Sequence, residues 1–299
     1  MAEDQIAELD SNWSAFPESE QVAFAFTRKL TLEPHLIGRQ DIGTLQKHFT
    51  DNQIIELVQT VAGYNSTNRW TDSLGLPQDK EFGGASALLE TATSESFQSC
   101  GSEVVALTDP LRPALESPAD VAKKLVDCGE RAAYVLLPEA DAADATLRSL
   151  GESLGVPNFA RALAVFPTTA KRQLETMQGI MNEGQLPPRI KAEILWATSR
   201  ENRAWYSVGH AQRWLHTLGL TENEIFGIDS GESLHEPREQ FAVAFARKLT
   251  SHSRQIADKD IDDLRKLFSD NEVAEIVFMT CFSNMFNHFT EALGLPLEH

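Results

Sequence analysis

Cysteine is scarce: the 299 residues hold three, Cys100, Cys128 and Cys281, each standing alone. They form neither an even-numbered disulfide framework nor a Cys-x-x-Cys pair, which points to a reducing, intracellular setting. Basic charge is short as well. Lys and Arg number 26 against 44 Asp and Glu, for a formal net charge of -18. No local basic patch reverses that field, so nucleic acid and anionic lipid surfaces are excluded as expected partners. No apolar run approaches the roughly 20 residues that cross a bilayer. The opening MAEDQIAELD lacks the basic segment and apolar core of a secretory signal. The expectation is a soluble, cytoplasmic protein.

Several chemistries lack their residues. Glycine loops that cradle phosphate and strained serine elbows are missing. His210 and His216 lie six apart, pointing to different sides of a helix, and no Cys or Asp completes a tetrahedral set around them. Neither a metal nor a cofactor is expected.

What the chain does contain is an internal repeat. Shifted by 219 positions, Asp10 to Pro77 overlies Asp229 to Pro296 without a gap, and about four positions in ten are identical. QVAFAFTRKLT falls on QFAVAFARKLT, Asp51 and Asn52 on Asp270 and Asn271, and Asn65, Asn68 and Thr71 on Asn284, Asn287 and Thr290. Both copies close with Leu-Gly-Leu-Pro. The pattern in each copy is helical. Thr50 with Gln53, and Ser269 with Glu272, have the spacing of a capping box that opens the longest helix of each copy. Gly75 and Gly294 stand where a left-handed C-terminal cap is wanted, ahead of Pro77 and Pro296. From Ile276 to Phe289 the second of these helices is apolar nearly all round, which predicts burial on most sides.

Met1 falls opposite Leu220, so the first half of a unit has no counterpart in the N-terminal copy. Either a half unit is fused to a whole one, or the true start lies upstream; the sequence leaves both open. A half unit exposes apolar helix faces. It is expected to pack against residues 157–296 or a second subunit. The division that follows is a half unit over 1–79, a linker with short helices over 80–156, and a complete helical domain over 157–299. In the linker the clearest helices are Pro118 to Val126 and Ala143 to Leu154, while AAYVLLP reads equally as a short strand or helix.

In the complete domain, helices are expected over Phe159 to Phe166, Thr168 to Met181 and Ile190 to Asn202, the last with Pro187 and Pro188 in its first turn. A further helix ends at Gly219, and Thr221 with Glu224 caps the next. The stretch from Leu186 to Leu218 reads as two consecutive helical runs meeting near Asn202. Within it Arg203, Tyr206 and His210 fall at i, i+3 and i+7, on one face of a continuous helix.

FARALAVFP, then LPPRIKAEILWATSRENRAWYSVGHAQRWLHTLGLTENEI, then FARKLT and SNMFNHFTEALGLP together resemble the alkylhydroperoxidase D and carboxymuconolactone decarboxylase family. The resemblance covers 157 to 296 in full and reaches residues 1 to 77 through the repeat. It implies an all-α, alkylhydroperoxidase D-like helical bundle with an internal repeat of its C-terminal half-unit. Subunits of such a fold associate through their helices into trimers or hexamers, so a homo-oligomer is expected. The peroxidase branch carries Cys-x-x-Cys-x-x-x-His at the start of a helix. Carried over, the cysteines fall on Arg203 and Tyr206 and the histidine on His210. The branch's upstream glutamate falls on Lys191, with Glu193 nearby. A peroxide-reducing thiolate needs a lowered pKa and a resolving thiol. Neither an arginine nor a phenol of ordinary pKa about 10 replaces it.

Two functions of different class are compatible with these residues. In the first, His210 and Tyr206, with Glu193 as a third candidate, transfer protons on a small anionic substrate oriented by Arg203 beside Trp205. In the second the chain is a non-catalytic scaffold or interaction protein that keeps the fold. Each residue has a structural reading too. His210 and Tyr206 can be a satisfied, partly buried pair; Arg203 over Trp196 or Trp205 can be a structural cation–π contact. Asn65, Asn68, Asn284 and Asn287 can satisfy backbone groups between helices. Arg28, Lys29, Arg247 and Lys248 can be surface charges near helix ends.

Overall fold

The computed structural model describes residue 9 and residues 13–76, 114–139, 156–166, 169–234 and 236–298. Every regular element among them is helical. In chain order these are α1 (Glu18–Leu32), α2 (Arg39–Leu45), α3 (Asp51–Ser73), α4 (Pro118–Glu130), α5 (Asn158–Leu163), α6 (Ala170–Asn182), α7 (Pro188–Asn202), α8 (Trp205–Thr217), α9 (Glu222–Ser230), α10 (Pro237–Ser251), α11 (Asp258–Arg265) and α12 (Asp270–Ala292), with short 3-10 turns before α1, after α1 and after α10. The expected helix over Ala143 to Leu154 lies outside the described residues, as do Pro77 and Cys100.

Local chemistry sets these boundaries. The side chains of Thr50, Thr221 and Ser269 each accept from the backbone N–H three residues on, and Gln53, Glu224 and Glu272 reach back to the cap N–H. Gly75 and Gly294 end the two long helices with φ of 58°, the left-handed conformation that glycine adopts without a Cβ clash. Pro187 and Pro188 open α7, where a missing N–H costs nothing.

The elements of the N-terminal stretch and those of the C-terminal stretch fall at the same 219-residue offset: α1 with α10, α2 with α11, α3 with α12. Contacts match as well. Lys29 meets Asp41 and Lys248 meets Asp260, both at 2.7 Å. Asn65 donates to Thr31 Oγ1 at 3.0 Å and Asn284 to Thr250 Oγ1 at 2.9 Å. Lys29 and Lys248 therefore pin their helices to α2 and α11 instead of standing free. What differs is the cover. Asn284 also accepts from Asn202, and Asn287 from Ser199, so α7 buries both asparagines. Asn68 is exposed, because no counterpart of α7 lies on α3 among the described residues.

Helix α7 is the centre of the larger half of the core. It is buried along almost its whole length, Ile190 to Asn202 included, and packs on α8, α10 and α12. The second half of the core joins α1 to α3 with α5, α6, the later turns of α12 and the tail after it. Helices α3 and α12 press against one another, so the N-terminal helices cover their apolar face within the same chain.

The segment 114–139 is built into the body rather than running across it. Val121 and Cys128 of α4 are buried, and Tyr134 N–H donates to Leu293 O at 2.9 Å. Residues 132–138 form neither strand nor helix; Val135 and Leu137 simply insert into the core.

Candidate functional site

The site forms where α7 breaks and α8 begins. Arg203 closes α7 in the left-handed conformation, with φ of 52°, and the chain restarts its helix at Trp205. The break corrects the expected three-residue face. Tyr206 and His210 share a side of α8, but the Arg203 guanidinium leaves it and meets Glu116 Oε1 at 2.7 Å. Arg200, not Arg203, lies over the indole rings of Trp196 and Trp205, at 5.7 and 6.0 Å. Arg200 is fully buried, and Asp229 and Glu116 hold its charge at 2.9 and 3.3 Å. Trp205 is thus a packing surface for Arg200.

Glu193 is not at this site either. It is fully buried on α7, bound to Arg189 at 2.8 Å, with Glu239 on the same guanidinium at 3.2 Å. Burial pushes its carboxyl up to about 7 even though the Arg189 hydrogen bond pulls the other way, and the nearby Glu239 charge adds to the rise. Lys191, the position on which the resemblance places a glutamate, is buried as well and pairs with Glu275 at 2.6 Å.

What joins Tyr206 and His210 is a residue that the spacing did not single out. Glu298 lies in the tail beyond α12. Its Oε1 accepts from the Tyr206 hydroxyl at 2.7 Å and from the Asn158 backbone N–H, and its Oε2 stands 3.3 Å from His210 Nε2. The Tyr206 hydroxyl in turn accepts from Phe159 N–H at 3.2 Å. Burial alone would raise the Glu298 carboxyl, but His210, the Asn158 N–H and Tyr206 outweigh it and hold it down at about 2. Burial first, and then the Glu298 charge, push the Tyr206 phenol well above its ordinary value. The imidazole does not stand in bulk water. Its side chain is 26% exposed, and its ring lies 4.7 Å from that of Tyr206, 6.0 Å from Phe159 and 6.4 Å from Phe286. His210 Nε2 and Glu298 Oε2 make no well-formed hydrogen bond among the described residues.

The tail is held by several separate ties. Arg131 donates to Leu295 O at 2.7 Å and pairs with Glu291 at 2.9 Å. Glu291 then accepts from Tyr206 N–H at 3.1 Å, satisfying an open donor at the start of α8. Leu297 N–H donates to Cys128 O at 3.1 Å, and Arg213 reaches the Glu298 carbonyl. Gly209 lets the tail lie close on α8, since a Cβ there would run into the Leu297 side chain.

The cluster offers an ionised carboxylate, an imidazole and a phenol, which suit proton transfer and not thiol redox chemistry. The two described cysteines are buried; burial pushes Cys128 up to about 11, with Arg131 offsetting only part, and Cys281 up to about 12. Neither supplies thiolate near neutral pH. Among the described residues no group of three or more His, Cys, Asp or Glu could hold a metal, and no helix is long and apolar enough to cross a membrane.

No family model matches the chain, and no curated protein matches it. Similar solved structures include an uncharacterized peroxidase-related protein from Silicibacter sp. TM1040, 22% identical, with a TM-score of 0.45 over 64% of this chain and 90% of that one. They also include a variant of the debrominase Bmp8 in complex with 2,3,4-tribromopyrrole, 16% identical, with a TM-score of 0.44 over 64% of this chain and 93% of that one.

Proposed function

We propose that the chain is an alkylhydroperoxidase D and carboxymuconolactone decarboxylase-like protein without thiol peroxidase activity, in which His210 transfers protons on a small-molecule substrate. The observation that supports this is the 3.3 Å approach of Glu298 Oε2 to His210 Nε2 beside the Tyr206 hydroxyl. Glu298 keeps its negative charge near neutrality and faces Nε2 at ion-pair distance, so its field favours the ring proton on that nitrogen. The other ring nitrogen is then the one that takes or gives the substrate's proton. Tyr206, with its hydroxyl already donated to Glu298, positions the carboxylate and does not itself titrate. Arg203 is engaged by Glu116, so orienting an anion is not part of this reading, and neither Glu193 nor Trp205 enters it.

The reading is tested by assaying carboxylated lactones with the wild type and with His210→Ala. A loss of about 100-fold in turnover is expected for a general acid–base group; an unchanged rate in the variant would remove His210 from the chemistry.

A non-catalytic role is the second reading. It is favoured by one observation: the chain's own tail supplies Glu298, and the Tyr206 hydroxyl is fully engaged in holding it. A Tyr206-dependent turnover would argue against this role. Association into a homo-oligomer through helix faces belongs to the same proposal and is read by sedimentation.

A further inference from the structure

A cavity of about 640 Å³ lies between α3, α6 and α12, inside the range of about 300–1,000 Å³ usual for small-molecule sites. Its origin can be read at the 219-residue offset. Phe282 and Phe286 of α12 line it from one side, while their counterparts Gly63 and Thr67 of α3 line it from the other. Where α12 carries Phe282 and Phe286, α3 carries only Gly63 and Thr67 at the matching positions, and a groove partly open to solvent is left between the two helices among the described residues. A Cβ added at Gly63 meets no atom of the described residues within 4 Å.

Two features indicate what would fill it. The lining is mainly apolar and aromatic, with Phe159 closing the end nearest α8. Into this surface α6 brings Gln173, whose Oε1 is buried and has no hydrogen-bond partner among the described residues. A buried acceptor of this kind calls for a donor, and the apolar surface beside it suits a donor carried on an aromatic ring. Arg172, the charged side chain of the lining among the described residues, is exposed to solvent, and the net charge of -18 disfavours an anion. We propose that the cavity binds one neutral aromatic molecule bearing an N–H or O–H donor, an arylamine or a phenol, with its ring against Phe159 and Phe286 and its donor on Gln173 Oε1. The same two rings pack on His210, so the ligand sits one ring away from the imidazole. The inference goes beyond the proton-transfer reading and does not need it: an inactive His210→Ala protein that still binds would fail only the catalytic proposal.

The probe is N-phenyl-1-naphthylamine, a neutral diarylamine whose fluorescence rises in a dry site. The full chain is expected to give a saturable rise with one site per chain. Gly63→Leu fills the void from a helix position that tolerates leucine, and is expected to lower the affinity at least tenfold while leaving the melting temperature unchanged or higher. Gln173→Leu is expected to weaken the probe about fivefold and to leave its N-methyl analogue, which has no donor, unaffected. Absence of a saturable signal would overturn the proposal. So would a signal indifferent to Gly63→Leu, or a Gly63→Leu protein whose oligomeric state changes while probe binding does not, since a second copy would then be the occupant.

Discussion

The carboxylate of Glu298 lies 3.3 Å from the imidazole of His210, although 87 residues separate the two along the chain and only one of them belongs to a helix. The approach depends on the tail being fixed, and Arg131 is one of its ties, holding both Leu295 O and Glu291.

Arg131→Met should therefore loosen the site from a distance. It leaves the Glu291 carboxylate without its cation, at a cost of about 3 kcal/mol, and frees residues 295–298. Denaturant unfolding should show the loss. A midpoint equal to that of the wild type would mean that the tail is held by other contacts.

Tyr206→Phe removes the hydroxyl that joins Phe159 N–H to Glu298 and leaves a buried donor unpaired. The expected loss is about 1–3 kcal/mol, measured by thermal or chemical melts. A neutral effect would show that water takes the place of the hydroxyl.

The two displaced carboxyls give stability opposite dependences on pH. Glu193, raised to about 7, keeps a proton when folded that the unfolded chain loses near 4.5. Its contribution is fully present below about 4.5 and lost as pH rises through 7. Glu193→Gln should therefore raise the melting temperature relative to wild type at pH 8 and give little change at pH 5. Equal differences at both values would contradict the shift.

Glu298, lowered to about 2, contributes stability above its ordinary value of 4.5 that is lost as pH falls through 2. Glu298→Gln should narrow the gap to wild type as the pH drops below about 4, as measured by melts between pH 2 and 6. A gap that stays constant over that range would argue that the carboxylate is not held down.

The helix starts and stops were legible because the signals are local. A Thr or Ser three residues before Gln or Glu, and a glycine ahead of proline, act within one turn, and the caps at Thr50, Thr221, Ser269, Gly75 and Gly294 appear where the sequence puts them. Periodicity also separated the buried α12 from its surroundings. It failed at the site for the same reason that it worked elsewhere. The i, i+3, i+7 rule assumes one continuous helix, and Arg203 breaks it with a left-handed residue. Glu116 and Glu298 come from irregular segments rich in proline or near the chain end, where no period marks which side chain turns inward. Their partners were visible, but only the fold brings them together. Buried Glu193 has the residue type of a catalytic acid and lies among Arg189 and Glu239, which its position relative to the motif did not reveal.

The central claim, that Glu298 orients His210 for proton transfer, is tested most directly by the pH profile of kcat for wild type and Glu298→Gln on carboxylated lactones. The account predicts a fall of tenfold or more in the variant and a displaced His limb in its profile. A variant with the wild-type rate and the wild-type profile would contradict it.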